Sequence, residues 1–371
     1  MKIPRSLSGA VILAILVAAG CCLVGCTKLQ PRAVGEDDEI IVFADSAEWS
    51  VYQSDLSNAL EQTLFTPQPE KMFHLVRTPI EKFDDFRNRR NILVVASIDG
   101  EGEAAGLLRS SLHPDVQQIL REGKEFVINK YDVHGRGQIM MFLSSTGLEA
   151  LRDRIRKSAG QLFYFFENAW VKREVASLFS EKKYEKKDIE KSLIKNHQWR
   201  IFVQHDYWVA QDSAEARFVW LRRTNPSDME RWLFVHWIDS ADPGALTPTF
   251  CFDLRNKLTQ AFYRTFEDTV HVRIADDPMS LQTYHIGETN FLGRYGYEMQ
   301  GLWQFSDMSG GGPFVSYVFY DESSKRIFMI DGSVFAPRYS KKELIVQLRA
   351  IVQTFQTAAD LTEEQPEELT D

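Results

Sequence analysis

The chain has 371 residues, and 43 Lys and Arg against 52 Asp and Glu give it a net charge of −9 and a pI near 5.5. A chain this acidic has no general attraction for nucleic acid or for anionic lipid surfaces, so nucleic acid is not an expected partner. Its 44% hydrophobic content, with 8 Trp, 12 Tyr and 25 Phe, suffices for a real core, and its length exceeds what one core usually supports, so two domains are expected.

At the start of the chain, Lys2 and Arg5 precede an apolar run from Ala10 to Leu23, short of the ~20 residues that span a bilayer. The run closes on Leu23-Val24-Gly25-Cys26, the pattern of a bacterial lipobox. Residues 1–25 therefore read as a lipoprotein signal peptide. Cys26 is expected to take a diacylglycerol thioether and become the new N-terminus, held in a membrane by several acyl chains. A second candidate, Ala18-Ala19-Gly20-Cys21, is weaker because Leu is usual where Ala18 sits. Loss of Lys2 and Arg5 leaves 41 basic and 52 acidic residues, a net charge of −11. Cys251 is then the only free thiol, so no intramolecular disulfide can form. Between Phe250 and Phe252 it reads as a small buried apolar residue. Thr27, not an aspartate, follows the anchor, which points to the outer membrane over the inner one.

Residues 26–39, with Pro31, Gly35 and the acids from Glu36 to Glu39, predict a lipidated flexible tether. Beyond it, two tandem repeats of a strand-helix-strand-strand-hairpin-helix unit are expected over 40–170 and 232–357, related by approximate two-fold symmetry. Four collinear matches suggest this. Asp55-Leu56-x-Asn58-x-Leu60-x-Gln62 recurs as Asp253-Leu254-x-Asn256-x-Leu258-x-Gln260, and His74-Leu75-Val76-Arg77 as His271-Val272-Arg273. Phe126-Val127, Tyr131-Asp132 and Ile139-x-Met141 recur as Phe314-Val315, Tyr320-Asp321 and Ile327-x-Met329. Thr146-x-x-Glu149 and Ser340-x-x-Glu343 each have the form of a capping box.

In the first repeat, strands are expected at Ile40–Ala44, Phe73–Arg77 and Asn91–Ile98. A helix follows Asp55 as N-cap, a hairpin joins 126–131 to 138–143, and a long helix runs from Leu148 to Phe166. Segment 171–231 begins as a charged helical stretch in which lysines from Lys182 to Lys191 interleave with acids. It continues as aromatic strands, Trp199–Val209 and Arg217–Arg223, expected to extend the second sheet. The second repeat offers a strand at Trp232–Ile238, a helix from Leu254, a hairpin of 314–320 with 326–330, and a helix from Leu344. Residues 358–371, with six acids and no base from Asp360 on, predict a disordered tail. Helices mixed with strands and hairpins argue an α+β (mixed α/β) fold.

Sequence motifs for catalysis are lacking: there is no nucleophile elbow, HExxH, P-loop or Rossmann glycine pattern, and no metal-type spacing of Cys and His. No catalytic residue, metal site or cofactor is therefore assigned. His74 and His271 sit between apolar strand residues, and His205-Asp206 and His236 could meet across a sheet; structural roles are expected for all four. The aromatics from Trp199 to Trp237 are expected in a core. The most unusual stretch is Ser309-Gly310-Gly311-Gly312 before Pro313, a candidate ligand-binding loop, because bare N–H groups on glycines can face an anion.

Asn91-Ile92-Leu93-Val94-Val95, Gly311-Gly312-Pro313-Phe314-Val315-Ser316-Tyr317 and Phe335-Ala336-Pro337, together with the lipobox and the aromatic strands, make the chain resemble a family of uncharacterised Gram-negative envelope lipoproteins, a domain of unknown function. The resemblance implies an envelope location and brings no catalytic residue. Together these readings lead to the expectation of a membrane-anchored, non-enzymatic protein that binds a ligand or partner, envelope proteins or glycans among the candidates. A hydrolase or transferase acting on an envelope polymer is the alternative.

Overall fold

The computed structural model describes residues 30–264, 269–276 and 283–361. The fold is mixed α+β, and it comprises two units, each a sheet with helices on both faces. In the first unit, β1 (Glu39–Phe43), β2 (His74–Thr78), β3 (Asn91–Ser97), β4 (Val127–Tyr131) and β5 (Ile139–Ser145) form a sheet in the order β2-β1-β3-β5-β4. All neighbours are parallel except β4 with β5. Every residue of β3 and β5 is buried, as a parallel strand covered on both faces requires. Helices α1 (Ser46–Leu60), α4 (Leu148–Lys157) and α5 (Ala159–Leu178) cover one face, and α2 (Glu103–Ser111) and α3 (Pro114–Arg121) the other.

After α6 (Lys187–His197), the second unit is an antiparallel sheet. Its strands are β6 (Trp208–Ser213), β7 (Phe218–Arg223), β8 (Glu230–Ile238), β9 (Val272–Ile274), β10 (Tyr284–Phe291), β11 (Arg294–Phe305), β12 (Gly311–Asp321) and β13 (Arg326–Phe335). They run in the order β9-β11-β12-β13-β8-β7-β6, and β10 also pairs with β11. Helix α7 (Pro248–Phe262) packs on one face; α6 and α8 (Lys342–Val352) pack on the other. Helix α8 joins the two units. Its Val346 and Ala350 enter the first unit's core, and its Leu344, Ile345, Leu348 and Ile351 enter the second's. Glu70 of the first unit caps α8, accepting from the Ser340 hydroxyl and from the Lys341 and Lys342 amides at 3.0 and 3.2 Å. Lys342 Nζ reaches Asp38 at 2.6 Å.

Several expectations are corrected. The repeated blocks do not build repeated structures: β2 is the parallel neighbour of β1, whereas β9 lies four strands away from β8. Asp55 is buried, whereas Asp253 is exposed, so the matched blocks turn different faces of their helices inward. Helix α1 starts after Asp45, and Asp55 sits inside it, paired with Arg152 and Arg156 of α4 at 2.9 and 2.8 Å. The long helix is two, α4 and α5, separated at Ser158. Neither capping box forms; Gly147 and Lys341 occupy the N-cap positions with no side-chain cap, and Glu70 serves α8 from across the interface. Residues 30–39 are docked, not a free leash. Ala33 is 5% exposed, its N–H donates to the Arg136 carbonyl at 3.0 Å, and Arg136 N–H donates to the Pro31 carbonyl at 2.9 Å. Of the tail, Ala358–Asp360 forms a 3-10 turn whose Asp360 pairs with Arg294; residues 362–371 lie outside the described residues.

Candidate functional site

Cys26 lies outside the described residues. The candidate loop does not make an anion cradle. Gly311 and Gly312 open strand β12 and pair with Gln304 and Trp303 of β11. A Cβ there would run into the Trp303 and Val334 carbonyl oxygens, so the glycines permit close strand approach. The Gly310 carbonyl accepts from Phe305 N–H, closing the turn, and Ser309 donates from its N–H and hydroxyl to Asp307 at 3.0 and 2.7 Å.

Nor do the histidines converge. His74 and His205 are exposed, and His271 holds the Ser306 hydroxyl through its backbone N–H. Burial on β8 pushes His236 down to about 4. Cys251 is fully buried and burial raises its thiol to about 12, which leaves no thiolate for nucleophilic attack. Trp199, Tyr207, Trp232, Phe234 and Trp237 lie in the core, while Trp208 is 44% exposed. Among the described residues no helix is long and apolar enough to cross a membrane, and no group of three or more His, Cys, Asp and Glu could hold a metal ion.

The structure instead brings together residues that sequence reading did not single out. A cleft of about 660 Å³ opens where α5, the β10–β11 hairpin and α8 meet, so both units supply its walls. Helix α5 contributes Tyr164, Glu167, Asn168 and Lys172. The hairpin contributes Glu288, Asn290 and Glu298, and its turn at Leu292-Gly293 holds both residues at positive φ. Helix α8 contributes Arg349 and Gln353.

Arg349 organises the floor. Its Nη1 donates to the Tyr317 hydroxyl at 2.7 Å, and its Nη2 lies 2.8 Å from Glu298 and 3.2 Å from the Gln300 amide oxygen. Its Nε stands 3.4 Å from Glu167. Burial alone would weaken the charge on Arg349, but Glu167 and Glu298 outweigh it and hold the guanidinium firmly protonated. Burial raises the Glu167 carboxyl and the nearby Glu298 charge adds to this, against the pull of Arg349. Arg349 thereby ties α8 to α5 and β11 at the junction between the units. Asn168, Asn290 and Gln353 hold no side-chain partner among the described residues, and the Tyr164 ring is 55% exposed beside them. No sequence motif marked this site, because its parts are spread from residue 164 to 353 and meet only through α8.

A second cavity of about 500 Å³ shares Asn168 and Lys172 with the first and runs along α5 towards the docked segment at Arg32 and Ala33.

Comparison with known proteins divides the chain at the same place. Residues 33–178 match a family model described as a domain of unknown function (DUF8532), and residues 186–354 match another so described (DUF4837). The boundary falls between the end of α5 and the start of α6. No curated protein matches the chain. Among solved structures, the Saccharomyces cerevisiae Ran-binding protein Mog1p is 12% identical over 43% of this chain and 90% of its own, with a TM-score of 0.28. A mutant of protein Mog1 is 11% identical over 43% of this chain and 91% of its own, with a TM-score of 0.27. Scores this low carry no argument about this chain.

Proposed function

We propose that this chain is a lipid-anchored cell-envelope protein that binds a glycan strand of the envelope in the cleft between its two units. The leader of residues 1–25 ahead of Cys26 supports the anchor and the envelope location, with the outer membrane as destination. The observation that carries the binding site is the cleft wall: an exposed Tyr164 ring stands beside the uncommitted amides of Asn168, Asn290 and Gln353. A sugar presents a C–H face that stacks on such a ring and hydroxyls that both donate to and accept from amides. The charged floor at Arg349 is already ion-paired to Glu167 and Glu298, so it shapes the cleft and leaves recognition to the rim.

Sedimentation of the full chain in detergent with purified, insoluble peptidoglycan tests this reading. The protein is expected in the pellet, and Tyr164→Ala with Asn290→Ala is expected to weaken binding roughly tenfold, as loss of ~1.4 kcal/mol would. Equal sedimentation of the two proteins, or none of either, contradicts it. The anchor is tested separately: if the Cys26→Ser protein still fractionates with membranes after a high-salt wash, acyl chains are not what holds it there.

One observation favours hydrolysis over binding alone. Glu167 and Glu298 flank one guanidinium at 3.4 and 2.8 Å in the wall of the cleft, a carboxylate pair of the kind that acid–base work on a glycosidic bond uses. Release of new reducing ends from the pelleted glycan, abolished in Glu298→Gln, would establish it; their absence leaves the binding reading alone.

A further inference from the structure

We propose that the second cavity, at the docked N-terminal segment, is a site for the phosphate headgroup of an anionic lipid in the membrane to which Cys26 tethers the chain. The inference rests on the anchoring reading above and adds what the anchored face does.

Covalent geometry gives the first argument. Gln30 is fixed on the β4–β5 hairpin: its Nε2 donates to the Asp132 carbonyl and its own carbonyl accepts from Arg136 Nε, both at 2.9 Å. Three residues separate Cys26 from Gln30, so four Cα–Cα steps span at most ~14 Å. An acylated Cys26 therefore holds this hairpin against the lipid surface, where a dozen-residue flexible tether would have let the body drift away.

The charge of the cavity is the second argument. Five cations line it: Arg32, Arg90, Arg136, Lys172 and Arg173. Asp37, Asp132 and Glu174 oppose them, so the lining keeps an excess of two positive charges. Asp37 pairs with both Arg90 and Arg173, the latter at 2.5 Å. Asp132 accepts from the Gly137 N–H at 2.6 Å. Burial holds the Glu174 carboxyl above its usual range, toward the neutral form. The Arg32 and Lys172 heads and both Arg136 Nη groups hold no partner among the described residues. A net positive lining with three cations free of ion pairs, around 500 Å³, suits an anion, and in a chain of net charge −9 it is a local exception.

The rim supplies the third. Tyr131 lines the cavity and is 52% exposed, and Val34 and Val133, exposed by 46 and 39%, sit on the docked segment and on the hairpin that carries it. A tyrosine in the wall of a basic pocket, with exposed valines on the same two segments, suits the boundary between headgroups and acyl chains, where Tyr is enriched and Lys and Arg meet lipid phosphates. A soluble phosphate ligand would use the cations but gives no role to this rim.

The experiment is calorimetric titration of the full chain, in a nonionic detergent, with three probes: dihexanoyl phosphatidic acid, dihexanoyl phosphatidylcholine and glycerol phosphate. Phosphatidic acid is expected to bind at least tenfold more tightly than either of the others. Arg32→Glu with Arg136→Glu is expected to abolish that preference while leaving peptidoglycan sedimentation unchanged. Tyr131→Ser is expected to weaken phosphatidic acid only. Glycerol phosphate binding as tightly as phosphatidic acid would overturn the lipid assignment in favour of a soluble phosphate. Equal affinity for all three probes, or an unchanged preference in the double variant, would overturn the site itself. None of these readings depends on acylation, so a failure of the anchor, seen as an unmodified Cys26 by mass spectrometry, is distinguishable from a failure of this site.

Discussion

The two units solve the same burial problem in opposite ways. In the first, the central strands β3 and β5 are buried throughout and largely apolar, and the main ionic group under its helices, Asp55, stays at a helix seam, 9% exposed and answered by Arg152 and Arg156. In the second, a charge pair lies inside the core: Arg255 of α7 meets Asp331 of β13 at 2.6 Å, both side chains fully buried. Ser316 and Ser333 complete Asp331, and the Arg255 guanidinium lies 3.6 Å from the centre of the Phe314 ring. The contrast teaches where stability is conditional. A parallel sheet closed by apolar faces loses contacts in proportion to what is removed. A buried ion pair is worth little while intact and costs much once one partner goes.

The largest expected effect follows from that asymmetry. Arg255→Leu should destabilise the chain by about 3–5 kcal/mol because it leaves Asp331 buried and unpaired. Replacing both, Arg255→Leu with Asp331→Leu, should recover most of the loss. Urea unfolding measures both, and equal curves for the single and double variants would break the comparison.

Next comes pH. The ordinary His value of 6.5 falls to about 4 at His236 through burial. The unfolded chain then binds a proton that the folded chain refuses, so stability present above pH 6.5 is lost as pH falls toward 4, by up to about 3 kcal/mol. Burial raises Glu190 of α6 from 4.5 to about 7, which has the opposite sign: stability declines as pH rises from 4.5 to 7. His236→Gln should flatten the acid limb of a stability–pH curve, and Glu190→Gln the neutral limb. An acid limb unchanged in His236→Gln would place the titration elsewhere.

Smaller still is the joint between the units. Glu70→Ala removes the cap on α8, worth about 1–2 kcal/mol, and should separate one unfolding transition into two in calorimetry. Smallest is the seam of the first unit: Asp55→Asn should cost about 1 kcal/mol, since the guanidiniums of Arg152 and Arg156 remain open to water.

What the sequence disclosed follows the same division. Apolar runs such as Asn91–Ser97 and Trp232–Ile238 are legible because a fully covered strand must be apolar on both faces. Strands β10 and β11, over 284–305, received no assignment; β10 alternates between partly buried and exposed residues and carries Gly287, so no apolar run marks it. The repeated blocks misled because a helix packed on a sheet and a hairpin followed by a helix use similar residues whichever way the strands pair. The docked segment 30–39 was hidden by its charge: Asp37 and Glu39 read as solvated, yet Asp37 is held by Arg90 and Arg173. The cleft was illegible because Glu167, Glu298 and Arg349 come from three distant elements, and nothing local to any one of them announces the others.

Hydrogen exchange on the full chain, with and without soluble peptidoglycan fragments, tests most directly that the junction between the units is the functional surface. The account predicts slowed exchange together at residues 164–172 of α5 and 288–293 of the β10–β11 hairpin. Protection confined to one unit, or lying at Gly310–Gly312 instead, would contradict it.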